Sequence, residues 1–249
     1  MKISIIIITW NGLALLRRCL ESLHALMHNN EIEIIVVDNG STDNTVPFLK
    51  ETYPDVLCLP LSSNKGVAYA RNRGLEKARG EYLFILDNDT IVNTEAITGM
   101  KDYMDNHPET GLCGCRLVDV NGLVQESCKR YPGIFEKAAN VLSKGFRYAY
   151  GEKTMQRPFE PVYLIGACQF FRKKVYEQVG PLDEKIFYGP EDADFCIRIR
   201  KKGWKIMYLP QFTIIHFCQR TTNKKIFSKL ARKHIAGLFH FYWKHKKFF

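Results

Sequence analysis

The feature that most constrains the fold is a regular alternation of short apolar runs with helical patterns over the first 110 residues. Ile3 to Thr9 contains five isoleucines and a threonine in seven positions. A β-branched run of that length suits a strand buried on both faces, as in parallel sheets. Trp10-Asn11-Gly12 breaks it. Leu13, Leu16, Leu20, Leu23 and Leu26 then recur at three and four residues, the period of an amphipathic helix. Glu33 to Val37 is a second strand, ending at Asp38. The turn Asn39-Gly40-Ser41-Thr42-Asp43-Asn44 carries Ser, Thr and Asp that can cap a helix from about Thr45 to Glu51. Val56 to Leu61, a turn at Asn64-Lys65-Gly66, a helix over Val67 to Ala78 and a fourth strand over Tyr82 to Leu86 follow. A helix from about Thr94 to Asn106 is stopped by Pro108.

This order predicts an α/β fold with a Rossmann-like, doubly wound and mostly parallel sheet. Ligands of such sheets bind beyond the carboxyl ends of the strands. Thr9, Asp38, Asn64 and Asp87 all fall there, so four polar turns are expected to meet in one crevice. The second half reads as a smaller, mixed region. Leu112 to Val118 and Leu123 to Glu126 flank Asn121-Gly122, a hairpin signal. Residues 129 to 160 show no dependable period, with some helix expected over Phe135 to Leu142. Val162 to Arg172 reads as one strand, Lys173 to Val179 as a short helix and Glu191 to Lys202 as a helix closed by Gly203. Trp204 to Tyr208 and Phe212 to Phe217 read as two short strands. The expected organisation is one catalytic domain over 1–219, with halves 1–110 and 111–219, and a tail over 220–249.

Charge is unevenly placed. The chain carries a formal +10, yet Asp194 is its last acid, and 14 basic residues follow it. Residues 1–194 therefore sum to about −4, and the basic character belongs to one end, which points to an anionic surface as partner. Phe227, Leu230, His234, Leu238 and Phe241 recur at helical spacing among these basic residues. A basic amphipathic helix with aromatics suits an anionic bilayer surface. A terminal helix packed on the domain with a solvated basic face is the alternative, and nucleic-acid binding a third option. No run approaches the ~20 apolar residues that a spanning helix needs, and Met1 to Gly12 does not read as a signal peptide. The eight cysteines include no Cys-x-x-Cys pair and read as buried free thiols in a reducing compartment rather than a zinc site.

The chemistry begins at Asp87-Asn88-Asp89. Two carboxylates one residue apart at the mouth of a buried strand repel each other and call for a cation, a substrate or open water. Both can reach one hard cation, and oxygen ligands suit Mg²⁺ or Mn²⁺ together with phosphates.

Taken together the motifs resemble the family 2 glycosyltransferases, which have the GT-A fold. The likeness rests on Thr9-Trp10-Asn11, Val36 to Asp43, Asn64-Lys65-Gly66 with Ala70 to Gly74, Asp87-Asn88-Asp89, Gly166-Ala167-Cys168, Glu191-Asp192-Ala193-Asp194 and His216, in that order. Gly189-Pro190 departs from the family pattern, where a bulkier residue is expected before Glu191. The absence of Gln-x-x-Arg-Trp implies addition of a single sugar. The Trp-Asn turn and the Glu-Asp-x-Asp helix look most like bacterial rhamnosyltransferases of surface polysaccharide assembly.

The resemblance implies an inverting transferase with a UDP- or dTDP-linked donor, a glycan or lipid-linked acceptor and Mn²⁺ or Mg²⁺. It implies Asp38 as acceptor for the base's imide N–H, Asp87, Asp89 and His216 around the metal, and Asp192 as base with Glu191 as second choice. Thr9, Trp10, Asn11, Asn64, Gly66, Arg71, Asn72 and Asn88 would line the donor, with Arg71 either pairing with the diphosphate or facing water on its helix. Asp194 reads as structural, paired with Arg198 at i+4. The expected location is the cytoplasmic face of the cell membrane, held peripherally by the tail, with no role for nucleic acid. The competing readings are a nucleotidyltransferase with a similar crevice and a non-catalytic anion or nucleic-acid binder.

Overall fold

A computed structural model of the chain describes residues 2–27, 29–130, 150–151, 153–217 and 229–246. The expected helix over Phe135 to Leu142 lies outside them. The first half follows the alternation read from the sequence: β1 (Ile3–Thr9), α1 (Leu13–Ser22), α2 (His24–Met27), β2 (Ile32–Asp38), α3 (Thr45–Thr52), β3 (Leu57–Pro60), α4 (Val67–Lys77), β4 (Tyr82–Asp87), β5 (Thr90–Ile91) and α5 (Thr94–Asn106). The N-cap position of α3 is Asn44, without a side-chain cap, and the Asp43 carboxylate just ahead of it accepts the Thr45 N–H at 3.1 Å. Then come β6 (Thr110–Val118), β7 (Cys128–Lys129), β8 (Tyr163–Leu164), β9 (Cys168–Arg172), α6 (Lys173–Val179), α7 (Glu191–Lys201), β10 (Lys205–His216) and α8 (Lys229–His245).

One eight-stranded sheet runs in the order β3-β2-β1-β4-β9-β6-β10-β5. β3, β2, β1 and β4 are mutually parallel, as are β6 and β10. β9 is antiparallel to both neighbours and joins the two parallel blocks. The isoleucines of β1 alternate between two cores. Ile3, Ile5 and Ile7 pack with the leucines of α1 and the methionines of α5, while Ile6 packs with Ala68 and Leu75 of α4 and Phe195 of α7. A strand with layers on both sides has no polar face, and that is why its sequence does not alternate.

Three expectations need correction. Val162 to Arg172 is two strands, because the chain turns at Gly166-Ala167 and β8 leaves the main sheet to pair with β7. Trp204 to Tyr208 and Phe212 to Phe217 belong to one strand, β10, with a register shift between Leu209 and Thr213 that the local pattern records as a break. The expected 112–126 hairpin keeps only a single bridge, Val118 to Val124.

The tail helix packs on the domain. Leu238, Phe241 and Tyr242 of α8 cluster with Ala193 and Ile197 of α7 and with Tyr163. The apolar face that the sequence assigns to a bilayer is therefore turned inward. Ion pairs fasten its last turns: Lys244 Nζ lies 2.7 Å from both Asp183 and Asp194, and His245 Nε2 lies 2.8 Å from Asp194. Seven of the eight cysteines are described, and all seven are free thiols. Among the described residues no helix is long and apolar enough to cross a membrane.

Candidate active site

Register brings the polar strand ends to one level. Thr9 pairs with Asp38, Asp38 with Pro60 and Ile8 with Asp87. β5 then turns back beside the end of β10, pairing Thr90 with His216, and the Phe217 N–H donates to the Asp89 carbonyl at 2.8 Å. In this way a residue more than 120 positions downstream arrives beside the two aspartates. Ligand atoms of Asp87, Asp89 and His216 all lie within 4.8 Å of one another, and His216 Nε2 is 3.3 Å from Asp89 Oδ1.

Gln125 fixes the imidazole. Its Nε2 donates to the His216 carbonyl and its Oε1 meets His216 Nδ1, both at 2.7 Å. With the amide pinned at its nitrogen, the oxygen must accept, so Nδ1 carries a hydrogen and Nε2 faces the carboxylates. Burial raises the pKa of Asp87, and the Asp89 charge adds to this against the pull of Arg71. Burial alone would lower the His216 pKa, but its bond to Asp89 and the charge of Asp87 raise it. Two carboxylates and an oriented imidazole, with Asp87 held at a cost, fit a divalent cation of the Mn²⁺ or Mg²⁺ kind.

Arg71 ties this cluster to the Glu191-Asp192 helix. Its guanidinium is buried and donates to Asp87 Oδ1 at 2.8 Å, to Glu191 Oε1 at 3.1 Å and to the Gly166 carbonyl at 2.9 Å. The expectation that Arg71 faces the diphosphate is corrected on this geometry: two carboxylates and a carbonyl take its terminal nitrogens. Gly166 is glycine because a Cβ there would collide with the guanidinium. Burial and the adjacent Asp192 charge push Glu191 up to about 7 in spite of Arg71. Asp192 is only half-buried, and its Oδ2 accepts the Gly166 N–H at 3.1 Å. Of the three acids in the first turn of α7, it is the one a solvent-borne group can reach, since Glu191 and Asp194 are buried.

On the donor side, Asp38 Oδ2 accepts the Ser41 N–H at 3.1 Å, while Oδ1 is buried with no protein partner. An orphaned carboxylate oxygen at a strand end is costly unless a ligand donates to it. Trp10 is exposed, Asn88 Nδ2 donates to Thr9 Oγ1 at 2.9 Å, and Asn11 accepts the Thr42 N–H at 2.7 Å. Asn64 accepts the Gly66 N–H and an Asn39 N–H. Gly66 has φ +98°, and a Cβ would strike the Phe187 carbonyl, which also accepts the Val67 N–H. The 64–66 turn is thus braced against the segment just before Glu191. Asn72 is set apart from this group: it is buried and clamps both the N–H and the carbonyl of Leu182. Sequence reading missed Asn39, which stitches the 64–66 turn to β2, and Gln125. The signal for Asn39 was its place beside Asp38; Gln125 had none, since its partner is 91 positions away.

A GT-A sheet whose carboxyl edge gathers an Asp-x-Asp pair, a histidine and an acidic helix start defines a glycosyltransferase. The chain belongs to glycosyl transferase family 2, whose sequence pattern matches residues 4–180. It is 27% identical over 248 residues to N-acetylglucosaminyl-diphospho-decaprenol L-rhamnosyltransferase of Mycobacterium tuberculosis, covering 92% of this chain and 80% of the relative. It is also 27% identical to the dTDP-rhamnosyl transferase RfbF of Shigella flexneri, over 79% of this chain and 64% of that one. Among solved structures, the mannosyltransferase PcManGT of Pyrobaculum calidifontis, in complex with GDP-Man and Mn²⁺, superposes with a TM-score of 0.61 at 19% identity. That match covers 88% of this chain and 58% of the other, and it shows the fold alone.

Proposed function

We propose that the protein is a metal-dependent, inverting, non-processive glycosyltransferase of surface polysaccharide assembly. It moves one sugar from a UDP- or dTDP-linked donor to a hydroxyl of a glycan or lipid-linked saccharide. The observation that carries this reading is Arg71, which joins the Asp87-Asp89-His216 cluster to the Glu191-Asp192 pair, so that donor and acceptor chemistry share one crevice. The names of the two relatives favour a dTDP-linked rhamnose as the first donor to test.

Asp38 Oδ1 accepts the imide N–H that uracil and thymine have in common, with a charged acceptor strengthening the bond. Asp87, Asp89 and His216 would hold a divalent cation, which would supply positive charge for the diphosphate. Asp192 takes the proton of the acceptor hydroxyl. The acceptor oxygen bonds to the anomeric carbon on the face opposite the diphosphate, and the bond from that carbon to the phosphate oxygen breaks with its electron pair. Attack from the opposite face inverts the centre. Glu191, buried and bound to Arg71, supports the site and does not take the proton. The enzyme works peripherally at the cytoplasmic face of the cell membrane, with the outer face of α8 toward the lipid and no nucleic-acid partner.

The test is binding and transfer with UDP- and dTDP-sugars in the presence of Mn²⁺ or Mg²⁺. Ligand at a hundredfold excess over Kd should stabilise the protein by about 2.7 kcal/mol. Asp89→Ala should stay folded and lose the metal-dependent part of nucleotide binding together with transfer. Full transfer in the presence of a chelator would rule the metal site out.

A further inference from the structure

The terminal helix α8 has two apolar faces, and only one is used by the domain. Phe241 and Tyr242 are each 2% exposed against α7, and the neighbouring His234 Nδ1 lies 3.0 Å from the carbonyls of Tyr188 and Gly189, just before Glu191. On the other side, Ile235, Phe239 and Trp243 are 48%, 61% and 77% exposed. They stand four residues apart, on successive turns, and so form one stripe along the helix. Ala236 widens it, and exposed Arg232 and Lys246 stand at its two ends. Trp243 is the most exposed of the large apolar side chains described.

We infer that the Ile235-Phe239-Trp243 stripe is a docking surface for an anionic lipid bilayer, which α8 meets with its outer face while its inner face holds the Tyr188-Gly189 segment and α7. This rests on the proposed transfer at a membrane face and changes which residues make the contact. The charge pattern selects the occupant. α8 contains no acid, and none occurs anywhere after Asp194. A second copy seated on the stripe by a twofold axis would set basic helix against basic helix, which opposes association. A nucleic acid would satisfy the cations and leave Ile235 in water. An anionic bilayer takes both: apolar side chains enter below the headgroups, the indole sits at the interface, and Arg232 and Lys246 meet the phosphates. The domain thereby presents Glu191-Asp192 from the helix next to the lipid, about one helix diameter (~10 Å) away from it.

Co-sedimentation of the full chain with vesicles of phosphatidylcholine, with and without phosphatidylglycerol, tests this. Binding should need the anionic lipid and weaken with salt. Combined Ile235→Ser, Phe239→Ser and Trp243→Ser should lower it by at least about tenfold with the melting temperature and Mn²⁺-dependent nucleotide binding unchanged. If that variant fails to fold, Arg232→Gln with Lys246→Gln should weaken binding and flatten its salt dependence. Undiminished sedimentation of the folded serine variant would overturn the proposal. So would a wild-type dimer that the serine variant dissolves, which would assign the stripe to a second copy, or equal binding to neutral vesicles. Wild-type protein that binds nucleotide but no vesicles would refute this surface alone; wild-type protein that binds vesicles but no nucleotide would refute the transferase reading instead.

Discussion

Gln125 grips His216 at two points, its amide nitrogen on the backbone carbonyl and its amide oxygen on Nδ1, each at 2.7 Å. The ring cannot turn without breaking one of them. Outer partners of this kind are typically worth 10–100-fold in metal affinity. Gln125→Ala should therefore weaken Mn²⁺ binding by about that factor, read by titration of the protein with the metal, while the fold is kept. Gln125→Leu should behave the same way, since shape without the amide restores neither contact.

Asp192→Asn keeps an oxygen for the Gly166 N–H but cannot accept the acceptor's proton. Turnover should fall by roughly 10²–10⁴-fold, with the Kd for the nucleotide unchanged. A loss confined to Glu191→Gln, with Asp192→Asn normal, would exchange the two roles.

Removing Arg71 leaves Asp87 and Glu191 uncompensated. Arg71→Met should cost about 3–5 kcal/mol, as for other broken buried pairs, measured by urea unfolding. Adding Glu191→Gln should return part of that loss, because neighbouring substitutions couple by about 0.5–3 kcal/mol. It should not return activity, because Asp87 is still displaced.

Glu191 also gives the protein a pH signature. Its carboxyl is raised from 4.5 to about 7 by burial and by Asp192. A raised acid binds its proton more tightly in the folded state, so its contribution is full below about pH 4.5 and is lost as the pH rises to about 7. Melting temperatures across that window should decline in the wild type and decline less in Glu191→Gln.

Asp194 has the opposite sign. Burial would raise it, but the His245 hydrogen bond and the charges of Arg198 and Lys244 hold it well below the usual range. Its contribution is present above the ordinary value of 3.8 and disappears as acid protonates it below that. Asp194→Asn should cost about 3 kcal/mol, loosen α8 and flatten the acid limb of the stability curve. Protease sensitivity near residue 229 gives a second readout.

The parts legible in the sequence are those with a local cause. Five isoleucines in a row of seven, the leucine period after Gly12 and the capping turn at Asp43 each carry their signal within about ten residues, and their elements lie where that signal puts them. Asp38, Asp87 and Asp89 were legible because strand ends in this kind of sheet share an edge. What was hidden depends on distant pairings. Arg71 meets Glu191 120 positions away, and its two carboxylate partners cannot be inferred from a helix that also offers it to solvent. The Leu209–Thr213 shift looks like a strand end because periodicity cannot see the partner that spans it. α8 shows one amphipathic pattern in its sequence, and the contacts of α7 decide which of its apolar residues turn inward.

β9 reaches back from the second half of the chain to lie between β4 and β6, pairing Leu83 with Phe171 and Leu112 with Phe171 in turn. The stretch that forms it begins two residues after Gly166, whose carbonyl and N–H meet Arg71 and Asp192. A hybrid enzyme joined near residue 110 would hence graft a foreign strand into the centre of the sheet and, with it, the backbone against which Arg71 and Asp192 are set. Donor and acceptor preferences in this scaffold should then be inherited together unless the graft also carries the matching residues of β4.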